Sequence, residues 1–394
     1  MTLSPNKKPQ RKLGKQLKVP SSLQSISKSV KIAVVIVLAA KLLVFALGYA
    51  AAYTDQGPAS PLFILMSQFA KPGAPQDSLH YIDIAKNWYV NTGDAANFIV
   101  FFPLYPFLIR LATIDFNYIN LSALVVSNVS SLIALVYLYK LAKLDFDEKV
   151  ALKAVLFLSI FPTAYFLSAP YTEGLFFALI ISSLYYARLS KWPIAGFLSF
   201  LAALTRLGGL LMLPVLLVEY LHQKEWKPRK TDLNILWIFL TLAGFLTYLN
   251  INNQVTGSPF TFVVIERVHW YNTFDPILGL TTAVNWASHG SYPQNLILGY
   301  APLIFAVFGL FMVIQGGYRR LRPSHLAYMV LTWLLAVSTS FWLSVPRYVM
   351  AIFPMFILLG AITERKAINI TIAVIFGLAL SYFTILFALG QFVF

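Results

Sequence analysis

Residues 32–53 read IAVVIVLAAKLLVFALGYAAAY, an apolar run interrupted by one charge, that of Lys41. A helix needs about 20 apolar residues to cross a bilayer, so this run predicts a membrane span. The chain of 394 residues continues in the same way, because 58% of it is hydrophobic and only 11% is charged. A soluble domain carries about 25% charged residues. The sequence therefore predicts an all-α polytopic membrane protein.

The chain divides into a basic leader and a membrane domain. Residues 1–31 are rich in lysine and poor in apolar residues, so we expect a disordered cytoplasmic tail that contacts anionic lipid. Residues 32–394 form the predicted transmembrane domain. Its further apolar runs cover residues 119–142, 151–168, 173–189, 193–221, 233–252, 294–315, 325–343, 347–362 and 367–391.

Basic residues between the runs predict the orientation of the chain, since short basic clusters mark cytoplasmic loops. The clusters are Lys140/Lys143/Lys149/Lys153, Arg188/Lys191, Lys224/Lys227/Arg229/Lys230, Arg319/Arg320/Arg322 and Arg365/Lys366. Their alternation requires run 193–221 to cross twice, as a hairpin of helices 193–205 and 208–221. We expect a bundle of about eleven transmembrane helices, with a cytoplasmic N-terminus and long non-cytoplasmic loops at residues 54–118 and 253–293. FFPLYPFLIR, residues 101–110, is short and contains two prolines, which predicts an interfacial or re-entrant element.

Composition excludes several classes of function. The chain has no cysteine, which excludes disulfides, thiolate nucleophiles and cysteine-ligated metals. Its net charge of +15 is divided among short clusters between apolar runs, so we expect no nucleic-acid partner. The five histidines show no helical pairing and predict no metal site. Asp145-Phe146-Asp147 resembles a metal-binding DxD, but its place before a helix favours capping.

Residues 76–106, QDSLHYIDIAKNWYVNTGDAANFIVFFPLYP, form a polar and aromatic island after the first span. Asp77 and His80 are three residues apart and share one face of a predicted amphipathic helix. Asp77 has two interpretations, an N-terminal helix cap or a general base toward a hydroxyl group. Asp83 follows on the same helix. Polar residues beside hydrocarbon are costly and usually functional, which favours the second interpretation.

Other polar residues fall on the same predicted membrane face as Asp77. Glu173 begins a helix, where a carboxylate gains from the helix dipole. Arg206 and Arg347 are isolated guanidinium groups at the outer ends of apolar segments, suited either to a phosphate or to a salt bridge with an acid. Lys41 lies in the middle of its span, where it has three options: snorkelling, an internal pair or a lipid phosphate.

The chain resembles the PIG-V type of glycosyltransferase, whose eukaryotic members add the second mannose to GPI anchors. The similar segments are DSLHYIDIAKNWY, FFPLYPFLIR, FPTAYFLSAPYTEGLFFAL, TRLGGLLMLP, TGSPFTFVVIERVHW and PRYVMAIFPMF. This family belongs to the GT-C superfamily, so the resemblance implies a GT-C fold and a polyprenyl- or dolichyl-phosphate sugar donor. It places the chemistry on the non-cytoplasmic face and the catalytic acid at Asp77. Family members usually have Trp before that acid, whereas this chain has Gln76.

The residues and the resemblance together predict a membrane glycosyltransferase that moves a sugar, by resemblance mannose, to a glycolipid or glycan acceptor. Arg206 and Arg347 would stabilise the leaving phosphate, and Asp77 would take the acceptor proton with help from His80 or Glu173. Further substrate contacts are predicted for Asp83, Tyr105, Tyr171 and Trp270. No metal or other cofactor is demanded, because phosphate is a good leaving group. The membrane would be the cell membrane in a prokaryote and the endoplasmic reticulum in a eukaryote.

Two other classes of function explain part of the same pattern. A transporter or flippase for a lipid-linked substrate would line its path with similar polar residues, but carriers often show paired broken helices in two related halves. Here one broken hairpin and no internal repeat are visible. A non-enzymatic membrane subunit would explain the hydrophobicity but not the acids and arginines gathered on one face.

Overall fold

A computed structural model describes residues 23–394 apart from residues 58, 72 and 75, and these residues form helices without strands, 77% helix. The α-helices are α1 (Leu23–Gln56), α2 (Pro61–Ser67), α3 (Asp77–Asn87), α4 (Leu104–Ala112), α5 (Ile119–Ala142), α6 (Glu148–Ser159), α7 (Glu173–Arg188), α8 (Trp192–Ala203), α9 (Met212–Gln223), α10 (Leu240–Thr256), α11 (Thr261–Val268), α12 (Pro276–His289), α13 (Ala301–Tyr318), α14 (Pro323–Val337), α15 (Val345–Met350), α16 (Pro354–Ile362) and α17 (Lys366–Ala388). Short 3-10 helices lie at Asp94–Val100, Phe116–Tyr118, Ala164–Leu167, Leu207–Leu211, Pro228–Lys230, Leu233–Phe239 and Trp342–Ser344, with a π-helix at Asn295–Tyr300. Most of the expected basic tail, residues 1–22, lies outside the described residues, and residues 23–31 form the first turns of α1.

The structure supports a multi-pass membrane protein but does not confirm about eleven spans. Five helical segments of the described chain are long and apolar enough to cross a membrane, or up to seven if each of two bent pairs is one span. The five are Ser29–Asp55, Phe116–Ala142, Leu233–Thr256, Asn295–Tyr318 and Lys366–Ala388. The other expected spans are helical but short: α8, for example, has 12 residues, about 18 Å at 1.5 Å per residue. Six of the twelve residues of α8 are buried, whereas Ile194 and Phe197 are 42% and 55% exposed.

The segment FFPLYPFLIR bends back on its neighbours. The 3-10 helix Asp94–Val100 and α4 meet at 111°. Nη1 of Arg110, in the last turn of α4, donates hydrogen bonds to the carbonyl oxygens of Ala85 and Lys86 at 3.0 and 2.7 Å, which ties α4 to the end of α3. This geometry fits the expected re-entrant element.

Helix α7 lies at the centre of the bundle and packs most extensively on α5. Residues Glu173–Leu184 of α7 are all buried. Its first turn can approach α5 because position 174 is glycine: a Cβ there would lie 2.6 Å from the carbonyl oxygen of Ser127. The predicted α8–α9 hairpin is also present, and a Cβ on Gly209 would lie 2.2 Å from the carbonyl oxygen of Ala202. Both glycines therefore allow close packing directly around Glu173 and Arg206.

Polar contacts identify the two ends of the bundle. At one end, Lys71 forms a salt bridge with Asp55 at 2.7 Å and donates to the carbonyl oxygen of Leu389 at 3.1 Å, joining the ends of α1 and α17. At the opposite end, the basic clusters and their acidic partners connect the other helix termini, as in the pair of Arg188 and Asp145. We call these the cavity end and the basic end, because a large cavity opens at the first.

Candidate active site

A cavity of about 400 Å³ lies at the cavity end, between α3, the α8–α9 turn, the loop after α11, α14 and α15. One wall is charged, with Asp77, Arg206 and Arg347, and much of the remainder is apolar or aromatic. The residues that line it come from sequence positions as distant as Asp77 and Phe394. The cavity therefore brings together side chains that the sequence separates by most of its length.

Asp77 is the first residue of α3, and its carboxylate is not a helix cap. Gln76 occupies the N-cap position and makes no side-chain capping bond. Instead, Oδ2 of Asp77 accepts a hydrogen bond from Nη1 of Arg347 at 3.0 Å, while its backbone amide donates to the hydroxyl of Tyr171 at 3.0 Å. Of the two sequence interpretations, the capping role is therefore wrong. The carboxylate faces the cavity and an arginine.

The side chain of Gln76 holds the backbone in place directly before Asp77. Its side chain is 1% exposed. Nε2 donates to the carbonyl oxygen of Phe387 at 2.8 Å, and Oε1 accepts from the backbone amide of Lys71 at 3.1 Å. Both ends of the amide are used, so the first outer loop is joined to the last turn of α17 directly before the candidate catalytic acid.

Glu173 contacts both arginines on the side that faces away from the cavity. Its side chain is 3% exposed, and it is not among the cavity-lining residues. Its Oε1 accepts a hydrogen bond from Nη1 of Arg206 and lies 3.4 Å from Nε of Arg347. Arg347 thus bridges Asp77 and Glu173. Oε2 of Glu173 has no hydrogen-bond partner among the described residues.

Aromatic rings surround the two guanidinium groups. Arg347 lies 5.2 Å from the ring centre of Phe166, 5.7 Å from Tyr171 and 5.5 Å from Tyr348. Arg206 also lies over Tyr348, at 5.7 Å. Contacts of this kind stabilise a partly desolvated cation and restrict its orientation. The arginines are therefore held in place before any ligand arrives.

His80 lies one turn beyond Asp77 on α3 and also lines the cavity. Its ring packs against Phe98, Phe101 and Trp270, with centres 4.3, 5.2 and 5.6 Å away. Burial lowers the pKa of His80, and this outweighs the opposing effect of the Asp77 and Asp83 carboxylates. The imidazole is therefore more strongly biased toward its neutral form than a free histidine.

Glu266, on α11, is a cavity residue outside the predicted site. Its Oε2 accepts a hydrogen bond from Nδ2 of Asn272 at 3.1 Å. Burial raises the pKa of Glu266; the Asn272 amide opposes this shift and the charge of Asp77 adds to it. The only sequence signal was its position in the second long outer loop, on the predicted face of Asp77.

The structure places the predicted site residues in two groups. Six line the cavity: Asp77, His80, Tyr171, Arg206, Trp270 and Arg347. Tyr105, like Glu173, lies outside the lining: its ring is fully buried and its hydroxyl pairs with Ser127 at 2.6 Å. Asp83 also lies outside it, where its carboxylate accepts from Nδ2 of Asn87 at 2.9 Å.

Two further polar features are resolved. Lys41 pairs inside the protein: its Nζ donates to Oδ1 of Asn128 at 2.8 Å and to the carbonyl oxygen of Leu167 at 3.0 Å. Asp147 caps α6 through a hydrogen bond from the amide of Val150, which confirms the capping interpretation of the DxD sequence. Within the described residues, no group of three or more His, Asp or Glu side chains is arranged to hold a metal ion.

Comparison with known families gives one match. Residues 102–250 match the model of the dolichyl-phosphate-mannose-protein mannosyltransferase family. This range covers α4–α9 and the first part of α10, including Glu173 and Arg206, but less than half of the chain. The match supports a membrane glycosyltransferase of the GT-C type. It does not single out the PIG-V type.

A search of curated proteins gave no match. Among solved structures, the chain is similar to the oligosaccharyltransferase of Archaeoglobus fulgidus, at 14% identity. The apo form gives a TM-score of 0.43 over 90% of this chain and 56% of that one. AglB in complex with an inhibitory peptide and a dolichol-phosphate gives 0.47 over 92% and 56%. The chain thus spans little more than half the length of these structures, and the scores are too low to assign a shared fold.

Proposed function

We propose that the protein is a membrane glycosyltransferase that moves a sugar, mannose, from a polyprenyl- or dolichyl-phosphate to an acceptor hydroxyl. The observation that carries this proposal is a single cavity whose charged wall contains one carboxylate, Asp77, beside two arginines, Arg206 and Arg347. The carboxylate can serve as the base, and the two arginines can bind the phosphate. The mannose follows from the description of the matched family and from the PIG-V resemblance.

Arg206 and Arg347 would bind the phosphate of the donor. A guanidinium presents a planar set of donors that suits phosphate oxygens. Arg206 uses Nη1 for Glu173, and its side chain remains 20% exposed, so its other nitrogens are open to a ligand. As the bond between the anomeric carbon and the phosphate oxygen breaks, the phosphate takes the electron pair. Oriented positive groups stabilise the negative charge that develops there.

Asp77 would act as the general base. The acceptor oxygen forms the new bond to the anomeric carbon, and its proton passes to the Asp77 carboxylate. Arg347 occupies Oδ2 of that carboxylate and leaves Oδ1 without a hydrogen-bond partner among the described residues. A base placed within hydrogen-bond reach contributes typically 10²–10⁴-fold to a rate.

Glu173 would be a positioning residue rather than a catalytic one, because it holds both arginines from behind the cavity wall. The hydroxyl of Tyr171 would orient Asp77 by accepting a hydrogen bond from the backbone amide of Asp77. The apolar part of the lining, with Leu207, Leu211 and Leu335, offers a surface for the first units of the lipid. The positive-inside pattern supports a non-cytoplasmic position for this end of the bundle.

The donor class can be tested with protein reconstituted in liposomes. We expect labelled polyprenyl-phosphate-mannose to give a mannosylated product with added membrane lipids, and unlabelled polyprenyl phosphate to inhibit. Arg206→Gln should lower kcat/KM about 10²-fold. Arg267→Gln, an exposed arginine of α11 outside the cavity lining, is the matched control and should retain activity.

Two results would contradict the proposal. In one, nucleotide-linked mannose would serve as donor while the lipid-linked form would not. In the other, the labelled donor would cross the liposome membrane unchanged, which is the behaviour of a transporter or flippase.

A further inference from the structure

The two sides of the cavity differ in charge. Arg206 and Arg347 stand on one side, whereas the side formed by α11 and the following loop carries Glu266, Trp270 and Asn272. His80 adjoins Trp270 and is biased toward its neutral form by burial. A phosphate gains nothing on this second side, since its lining residues include the carboxyl group of Glu266 but no arginine or lysine. A neutral ligand meets no such obstacle.

Polar atoms on the second side lack partners. Nε1 of Trp270, a donor, and Oδ1 of Asn272, an acceptor, are buried without a hydrogen bond to any described residue. Glu266 uses only Oε2, in its bond with Asn272. Buried polar groups are normally hydrogen-bonded, so unpartnered ones call for an explanation. A donor, an acceptor and a carboxyl group therefore lie within one short segment that contributes to the lining.

Aromatic rings complete this side. Trp270 stands nearly perpendicular to Phe101, at 85° and 5.6 Å, and to His80, at 74° and 5.6 Å. Ring faces of this kind pack against the C–H faces of a sugar, while the surrounding polar groups pair with its hydroxyls. Binding sites of this type combine an apolar wall with a few convergent polar groups that fix orientation.

We infer that Glu266, Trp270 and Asn272 form the acceptor subsite, which holds a neutral, hydroxyl-rich group next to Asp77. The inference rests on the proposed function, because it assigns the opposite side of the same cavity to the donor phosphate. A glycoside offers several hydroxyls, enough in number to pair with all three residues. A single serine or threonine hydroxyl would leave most of these groups unpaired.

Direct binding tests the subsite without a sugar donor. The protein is placed in nanodiscs free of glycoside detergent, and octyl α-mannoside and polyprenyl phosphate are titrated separately by calorimetry. We expect saturable glycoside binding that Glu266→Leu weakens about tenfold, since a buried hydrogen-bonding group is lost. Arg267→Leu, the neighbouring exposed residue, should stay within twofold. Asn272→Ala provides a second variant if Glu266→Leu does not fold, and thermal unfolding checks both.

Any of the following outcomes would overturn the inference: no saturable glycoside binding by the unaltered protein, equal binding by Glu266→Leu and Arg267→Leu, or tighter binding of a threonine peptide than of the glycoside. An equal loss of polyprenyl phosphate affinity would also refute it, by assigning these residues to the donor. Failure of the proposed function looks different. A protein that binds the glycoside at Glu266 but never consumes the lipid-linked donor would retain the subsite and lose the proposed reaction.

Discussion

The cavity end and the basic end each contain a buried carboxylate held by arginines, yet the two clusters are built differently. At the basic end, Glu219 is fully buried, and Arg322 binds it with two hydrogen bonds of 2.8 and 2.6 Å. Ser324 and Gln223 add bonds of 2.6 Å each. Both carboxylate oxygens are therefore satisfied.

The cavity end leaves its cluster incomplete. Oε2 of Glu173 and Nε of Arg347 lack hydrogen bonds within the described residues, and Arg206 remains partly exposed to the cavity. Unpaired buried atoms occur at both ends, since the two ring nitrogens of His325, near Glu219 and Arg322, also lack partners within the described residues. The difference is that Arg206 and Arg347 line a large cavity in which a ligand can pair with them. The same residue types thus serve stability at one end and, by our proposal, catalysis at the other.

The largest effect on stability is expected at Glu219. Glu219→Ala removes the fully buried partner of Arg322, whose own side chain is 22% exposed, so we expect a cost of about 3 kcal/mol, the lower end of the range for a fully buried pair. Thermal unfolding and the yield of folded protein measure this loss. Transfer per folded molecule should change little. A large fall in that specific activity, with stability intact, would show that the basic end also takes part in the reaction.

The next effect is expected at Arg347, as a loss of activity. Arg347→Lys keeps the charge but loses the planar group that reaches both Asp77 and Glu173, and we expect kcat/KM to fall about 10²-fold. Arg322→Lys at the basic end is the matched comparison and should affect unfolding instead. Equal kinetic effects of the two variants would remove the distinction between the clusters.

Gln76 gives an intermediate effect on rate. Gln76→Leu removes both hydrogen bonds that hold the chain before Asp77. We expect kcat to fall about tenfold, which corresponds to about 1.4 kcal/mol, with little change in the KM for the donor. Steady-state kinetics separate the two constants. Gln76→Glu keeps the oxygen that accepts from the Lys71 amide, so its kcat should lie between those of Gln76→Leu and the unaltered protein. A change in donor KM alone would place Gln76 in donor binding.

The smallest effect is expected at Tyr105. Tyr105→Phe removes the hydroxyl that pairs with Ser127 but keeps the buried ring, so we expect about 1 kcal/mol of lost stability and unchanged transfer. Chemical unfolding and the transfer rate check this. A loss of transfer would restore the sequence-based prediction that Tyr105 contacts substrate.

The sequence predicted the parts of this arrangement that depend on isolated charges in an apolar background. Asp77, Arg206 and Arg347 stood out for that reason, and all three line one cavity. Tyr105 was predicted to contact substrate but does not line the cavity, because an aromatic residue near the membrane interface can pack in the core as well as contact a substrate. Its ring is fully buried in the core. Asp83 shares α3 with Asp77 but is not among the residues that line the cavity.

Other features depend on packing between distant segments and had no local signal. The contact between Gln76 and Phe387 joins residues 311 positions apart, and Glu266 enters the cavity through a separate loop. The number of spans was also difficult to predict, because short helices such as α8 are apolar enough to resemble spans.

The most direct test is the single-turnover rate of sugar transfer by Asp77→Asn at saturating polyprenyl-phosphate-mannose, compared with Asp83→Asn on the same helix. We predict a loss of about 10²–10⁴-fold for Asp77→Asn, with donor binding retained, and a rate near that of the unaltered protein for Asp83→Asn. Undiminished transfer by Asp77→Asn would contradict the assignment of this carboxylate as the base.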